Sequence, residues 1–159
     1  MITEYADIRN VRPVAENIID EKRIRPYIEE AERLYLVPAI GASLYKDISE
    51  NRKNWETLFS GGYYNANRCH FAGLREAMGY LSYARFIRNN GISVTAFGVV
   101  VKQGEFSQPA DEKTIVRISN DAEKIGREYL NQCIHWLRFE GIIKEKQATG
   151  HTKFKSIGR

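Results

Sequence analysis

Two cysteine–histidine pairs are the residues in this sequence best suited to chemistry. Cys69 adjoins His70, and Cys133 lies two positions before His135. Two thiolates and two imidazoles form a donor set typical of structural zinc. However, both pairs fall in segments whose apolar spacing predicts helix, where residues one or two positions apart do not share a face. We therefore interpret them as reduced, half-buried thiols beside structural histidines, and we expect no metal site.

The sequence contains no other recognisable catalytic pattern. There is no GxSxG, Walker-type glycine loop or HExxH motif, and the third histidine, His151, lies near the C-terminus. The acidic run Glu29–Glu32 is interpreted as the solvated face of a helix, balanced by Arg25 and Arg33. We therefore expect no catalytic residues, no cofactor and no enzyme activity.

Aromatic residues next to basic ones raise the alternative of nucleic-acid binding. Tyr80 and Tyr83 are i,i+3 neighbours on a predicted helix, with Arg85 and Arg88 close by. Such a group could stack the bases of a single strand. Tyrosines also occupy domain edges and protein interfaces, where ring and hydroxyl are both used, and we favour this second interpretation.

The net charge of +4 is confined to one end of the 159-residue chain. The segment from Ile142 to Arg159 holds five basic residues and one acid, so the part up to Gly141 is neutral. A neutral body argues against a broad DNA-binding face. The basic segment has too few apolar residues to form a core, and it alternates them with basic ones. We expect it to dock on a partner through Lys144, Lys146, Lys153, Phe154, Lys155, Ile157 and Arg159.

The elements that would position these groups are mostly helices. Apolar residues recur at three- and four-residue spacing after Pro26, in Tyr27, Ile28, Ala31, Leu34 and Tyr35. Pro38 is predicted to end this first helix. Further helices are predicted around Leu44–Ile48 and over Asn54–Phe59, Arg68–Asn89 and Asp111–Phe139, with Asp111 as N-cap and a turn at Ser60–Gly62.

One segment between the two longest helices has β character. Valine, threonine and phenylalanine are concentrated between Val94 and Val101, which predicts a short strand or extended β-loop within about 93–108. No second strand is evident elsewhere, and an isolated strand is not stable alone. We therefore expect it to lie at a subunit interface formed by Thr95, Phe97, Val99, Val100, Val101 and Lys102.

The predicted architecture is mainly α, a small helical bundle with one protruding β-strand or β-loop and an extended C-terminal tail. Residues 1–20 are expected to form an irregular arm, residues 21–141 the helical domain, and residues 142–159 the basic tail. No stretch approaches the ~18 apolar residues of a membrane span. No secretory signal is visible at the N-terminus, and no membrane association is expected.

Turn and packing motifs along residues 18–140 resemble a known family. They are Pro38-Ala39-Ile40-Gly41, Gly61-Gly62-Tyr63, Tyr80-x-x-Tyr83-Ala84-Arg85-Phe86-Ile87 and Thr95-x-Phe97-Gly98-Val99-Val100, followed by Lys102. The sequence resembles the small head-to-tail connector (adaptor or ring) proteins of tailed phages, particularly crAss-like phages. The motifs are packing and turn residues and carry no chemical signature.

The resemblance implies a structural virion protein, made in the host cytoplasm and located in the head-to-tail neck. Such proteins form rings, usually of twelve copies, that lie below the portal and continue the DNA channel. Its partners would be further copies of itself, the portal protein and neighbouring ring or tail proteins. Non-specific contact with DNA in the channel is a further expectation.

A small nucleic-acid-binding or regulatory helical domain is the alternative. It would need a basic recognition helix, whereas the predicted helices here are balanced in charge. An enzyme would need convergent polar groups in a cleft, which the sequence does not indicate.

Overall fold

A computed structural model describes residues 1–12, 21–90, 92–95, 98–101 and 111–144, and the fold is a mainly helical bundle with short β-hairpins. The predicted fold class is confirmed, while the tail from residue 145 onwards lies outside the described residues. Among the described helices, none is long and apolar enough to cross a membrane.

The helices are α1 (Tyr5–Val11), α2 (Glu21–Ala31), a π-turn (Glu32–Leu36), α3 (Val37–Ile40), α4 (Ala42–Glu50), a 3₁₀ turn (Arg52–Trp55), α5 (Glu56–Ser60), α6 (Leu74–Asn90) and α7 (Glu112–Phe139). The strands are β1 (Gly62–Tyr64), β2 (Cys69–Phe71), β3 (Ile92–Thr95) and β4 (Gly98–Val101).

Helix α6 is the centre of the bundle, with α1, α2 and α7 packed around it. Two glycines allow the closest approaches. A Cβ on Gly79 would lie 2.6 Å from the carbonyl oxygen of Asp7 in α1. A Cβ on Gly126 in α7 would lie 2.7 Å from Leu81 Cγ and 3.0 Å from the carbonyl oxygen of Ala77. Both helices therefore contact α6 nearly backbone to backbone.

The apolar residues form two clusters along α6. The larger lies around Leu74, Met78 and Leu81 and includes the stacked rings of Phe71 and Trp136, whose centroids are 5.1 Å apart. The smaller joins α1, α2 and the last turns of α6 through Ile8, Ile24, Ile28 and Phe86. The chain is thus held along the whole length of α6.

Residues 1–12 are part of this bundle, contrary to the irregular arm predicted for residues 1–20, whose remainder (13–20) lies outside the described residues. Ile2 and Ile8 are buried, and residues 5–11 are helical. Buried Glu32 accepts hydrogen bonds from the backbone N–H groups of Ile2 at 2.8 Å and Thr3 at 2.7 Å. The arm prediction failed because two backbone amides find their acceptor about thirty residues away, which no local pattern reveals.

Glu32 also corrects the prediction that the whole acidic run is solvated. Its second carboxylate oxygen accepts a hydrogen bond of 2.6 Å from the Tyr45 hydroxyl, and burial together with this bond raises the pKa of Tyr45. Arg52 adds a hydrogen bond of 3.0 Å to the carbonyl oxygen of Ile2. The amides of Ile2 and Thr3 and the hydroxyl of Tyr45 thus replace the water that the Glu32 carboxylate loses on burial.

The first predicted helix differs from expectation at both of its prolines. Pro26 lies inside α2 and not in its first turn, and the helical run continues through Pro38 to Ile40. Within the π-turn, the Val37 N–H bonds to the carbonyl oxygen of Glu32, five residues back. This wider turn shifts the helical phase. Leu34, predicted to join the apolar stripe, is 52% exposed.

A β1–β2 hairpin replaces the first part of the helix predicted from Arg68. Its strands pair antiparallel, with Tyr63 opposite His70. At its base, Gly61 and Gly73 approach so closely that a Cβ on Gly73 would lie 2.5 Å from the Gly61 nitrogen. Both glycines have positive φ. The hairpin therefore needs glycine at two positions that are twelve residues apart.

Substituting Gly126 with alanine tests the close approach of α7 to α6. Alanine gains about 1 kcal/mol of helix propensity over glycine. The added Cβ collides with α6, and overpacking costs about 1–3 kcal/mol. We expect a net loss in the free energy of unfolding, measured by urea denaturation.

Asn131→Ala is the matched control, since Asn131 is an exposed position of the same helix. It should leave stability unchanged or slightly raised. Equal or greater stability of Gly126→Ala would contradict the close helix packing.

Candidate subunit interface

The β3–β4 hairpin contains the backbone of four of the six predicted interface residues. Thr95 pairs with Gly98, and Val99, Val100 and Val101 lie on β4. Phe97 and Lys102 lie outside the described residues. The single strand that was predicted is thus a hairpin, because Ile92–Thr95 supplies a partner strand from the same chain.

The register of the hairpin divides its residues between two faces. Ile92 is opposite Val101, and Val94 is opposite Val99. Because directly paired positions share a face and alternate along each strand, these four β-branched positions lie on one face. We call it the apolar face of the hairpin. The other face has the positions of Ser93, Thr95, Gly98 and Val100.

Both strands of this hairpin have one edge without a described strand partner. Within the described part of the chain, no helix packs extensively on it either. A two-stranded hairpin is marginal alone in water, and an open edge with an apolar face is a template for further association.

The hairpin emerges from one end of the α6–α7 pair. The two helices run antiparallel, with the Ser119 hydroxyl 3.1 Å from the Ala84 carbonyl oxygen and Arg88 bonded to Asn120 at 2.9 Å. Helix α7 begins at the same end, where the side chain of Asp111 accepts a bond of 3.3 Å from the Thr114 N–H. The predicted N-cap is confirmed.

The basic tail leaves from the other end of α7. Gly141 has φ of +70°, and the N–H groups of Ile142 and Ile143 bond to the Leu137 carbonyl oxygen at 2.9 and 3.3 Å. This is a glycine-terminated helix end. Ile143 packs against the core and Lys144 is exposed. The remaining tail candidates lie outside the described residues: Lys146, Lys153, Phe154, Lys155, Ile157 and Arg159.

Three large apolar or aromatic side chains are exposed near the last turn of α7, a feature that sequence reasoning missed. Tyr63 is 69% exposed and packs edge-on against His70, and Phe139 is 55% exposed beside Tyr64. Ile142 is also exposed. We call this region the aromatic end. Tyr63 and Tyr64 are consecutive on β1 and therefore lie on opposite faces, and a three-residue strand gives no sequence signal of which face is outward.

A groove lies between the π-turn and α7, and it too was missed. Its apolar lining consists of Leu34, Tyr35, Pro38, Ala39, Leu130 and Ile134. Arg127 and Asn131 complete the lining, and the guanidinium carbon of Arg127 lies 4.6 Å from the Tyr35 ring centre. We call it the Leu34 groove. The sequence did not reveal this groove, because the three- and four-residue spacing of apolar residues assigned Leu34 to the core.

The cysteine–histidine pairs are not brought together. Cys69 and His70 lie on β2 and not on a helix, and they occupy opposite faces of that strand. Cys133 is buried, which raises the pKa of its thiol to about 12. His70 and His135 are exposed. Over the described ranges, no group of three or more His, Cys, Asp or Glu residues could hold a metal ion.

The tyrosines proposed for base stacking are engaged within the bundle. The Tyr80 ring packs edge-on against Tyr129 with centroids 5.8 Å apart, and burial raises the pKa of Tyr83. Arg85 forms an ion pair with Glu30, and Arg88 donates to Asn120. The rings and guanidinium groups of this helix therefore already have partners in the chain.

Comparison with known proteins gives one family. Neither a curated protein nor a solved structure matches the chain. Residues 36–141, about two thirds of the sequence, match the family of unknown function DUF6712. The matched range begins at the last residue of the π-turn and ends at the glycine after α7, so it includes both hairpins and the lining of the Leu34 groove apart from Leu34 and Tyr35. The chain therefore belongs to DUF6712, a family of unknown function.

Proposed function

We propose that the protein is a structural, non-catalytic subunit of a phage head-to-tail connector ring. The ring lies below the portal in the virion neck, continues the DNA channel and presents a platform for the next ring or tail protein. The observation that carries the proposal is the β3–β4 hairpin, with its open edges and an apolar face of four β-branched positions. The resemblance of residues 18–140 to connector proteins supports it.

The hairpin suits contact between neighbouring copies for two reasons. Strand edges and apolar faces are stabilised when another chain covers them. In addition, the hairpin is rooted at the end of the bundle and away from the main core, so a neighbour can cover it without opening the helices.

The opposite end of the molecule suits contact with a different partner. Helix α7 spans 28 residues, which corresponds to about 42 Å. The hairpin lies at its start, while the aromatic end and the basic tail lie at its finish. A subunit with unlike ends can bind its own copies at one and the adjoining neck protein at the other.

A nucleic-acid-binding domain is the second candidate, and the basic tail is the observation that favours it. Five basic residues after Gly141 could neutralise phosphates of a bound nucleic acid. The helices themselves offer little to such a ligand, because the rings and guanidinium groups around Tyr80 are engaged internally.

Charging the apolar face of the hairpin tests the ring. We expect the double variant Val99→Asp with Val101→Asp to retain the helical circular dichroism of the subunit and to lose assembly. The reason is that two carboxylates would have to be desolvated at the contact. Size-exclusion chromatography with light scattering, on recombinant protein and on particles, measures the outcome.

Thr95→Asp with Val100→Asp is the control, because it introduces the same charge on the other face of the hairpin. This variant should assemble better than the first. Normal assembly of the Val99→Asp, Val101→Asp protein would show that the hairpin is not the contact.

The tail is tested by comparing two pairs of alanine substitutions. We expect Phe154→Ala with Ile157→Ala to reduce incorporation into particles at least as much as Lys153→Ala with Lys155→Ala. The reason is that buried apolar anchors dominate protein contacts, while charges at the edge contribute little.

A DNA partner gives the opposite result. Incorporation would then depend on the lysine pair alone, and binding would weaken steeply with salt because each neutralised phosphate releases a counterion. That outcome would exclude docking of the tail on a protein.

A further inference from the structure

The Leu34 groove is a surface of mixed polarity, lined by apolar side chains together with Arg127 and Asn131, that the helical bundle leaves open. Leu34 is half exposed at its edge, although it lies between the buried residues Glu32 and Tyr35. Leu34 lies within the π-turn, whose five-residue hydrogen bond joins the Val37 N–H to the carbonyl oxygen of Glu32. Single π-turns inside helices occur frequently at functional sites. The groove is therefore a candidate docking surface for another molecule.

We propose that the Leu34 groove receives the apolar face of the β3–β4 hairpin of a second copy of this chain. The inference rests on the proposed ring and deepens it, because it names the surface on which the hairpin docks. Each copy would donate its hairpin to one neighbour and accept the hairpin of the other. Such a contact joins unlike surfaces, and when the rotation between copies closes it generates a ring.

The hairpin of the same chain cannot reach this groove. Ser119 is level with Ala84, so Leu130 lies eleven residues further along α7 while the hairpin root at Asn90 lies six residues the other way. At 1.5 Å per helical residue the separation along the axis is about 25 Å. A four-residue strand spans only about 13 Å. The occupant must therefore come from another molecule.

The groove and the hairpin are also alike in having few charged residues. No charged residue occurs from Ile92 to Val101. In the described lining of the groove the one charged side chain is Arg127, which is already paired with Glu123 at 2.8 Å. Depletion of charge is typical of the centre of protein interfaces.

The aromatic end is a poorer receptor for the hairpin. Arg68 lies in its turn and Lys144 at its edge, and the basic tail follows. An uncharged hairpin would cover these groups without providing counter-charges, which costs desolvation energy. This end instead fits the different, tail-binding partner proposed above.

Cross-linking of introduced thiols tests the contact. In a full-length Cys69→Ser background, one chain carries Leu34→Cys and another carries Val99→Cys, and the two are mixed and oxidised. The native Cys133 is buried, and its thiol does not react. We expect covalent dimers on a non-reducing gel. A chain carrying both substitutions should give a ladder of higher oligomers.

Leu34→Cys with Val100→Cys is the matched control, since position 100 belongs to the other face. We expect at least about fivefold less cross-linked product from it, because a disulfide requires Cα atoms about 4.4–6.8 Å apart. Leu34→Asp provides a second readout. Because Leu34 is half exposed, this variant should keep its helical circular dichroism and lose assembly.

The possible results separate the two proposals. Rings that form without preferential cross-linking between positions 34 and 99, or with Leu34→Asp present, overturn the groove contact and leave the ring intact. If the Cys69→Ser protein is monomeric by light scattering and the thiol variants do not cross-link, both the ring and the groove contact are wrong. A cross-link formed within one chain overturns the groove contact, because it would contradict the reach of the hairpin.

Discussion

The near-contact of α1 and α7 with the backbone of α6 is the constraint on which the rest of this structure depends. Gly79 and Gly126 leave no room for a Cβ against their neighbours, so the three helices are fixed in register along their axes. This register puts the start of α7 beside the hairpin and its end beside the aromatic end. The separation of the hairpin from the aromatic end is therefore a result of core packing.

The π-turn is the second determinant, and it acts in two directions. On its inner side Glu32 enters the core and bonds to the amides of Ile2 and Thr3. On its outer side Leu34 is exposed and forms the edge of a groove. The same five residues thus contain both the anchor of the N-terminus and an exposed apolar side chain.

Much of the fold was predictable from the sequence, because the long helices have strong periodicity. The end of α7 at Phe139, its Asp111 cap and the β character before Val101 follow from local residue types. Glu32 was assigned to the solvated side because its donors Ile2 and Thr3 lie about thirty residues away. Leu34 was assigned to the core because it follows Ala31 by three residues, a spacing that places it only at the edge of the buried stripe. The Cys69–Phe71 strand was missed because three residues are too few to show alternation. The groove depends on both elements that form it, so no single segment could reveal it.

The bond between Glu32 and the first residues has a consequence for the order in which the protein folds as it is synthesised. The amides of Ile2 and Thr3 have no acceptor until Glu32 has been synthesised, about thirty residues later. Helix α1 then lacks its main packing partner until α6 has been synthesised. The face of α6 that packs on Gly126 stays open until α7 leaves the ribosome. Long-range closure of this kind slows folding. The larger core around α6 therefore stays unfinished until α7 has been synthesised.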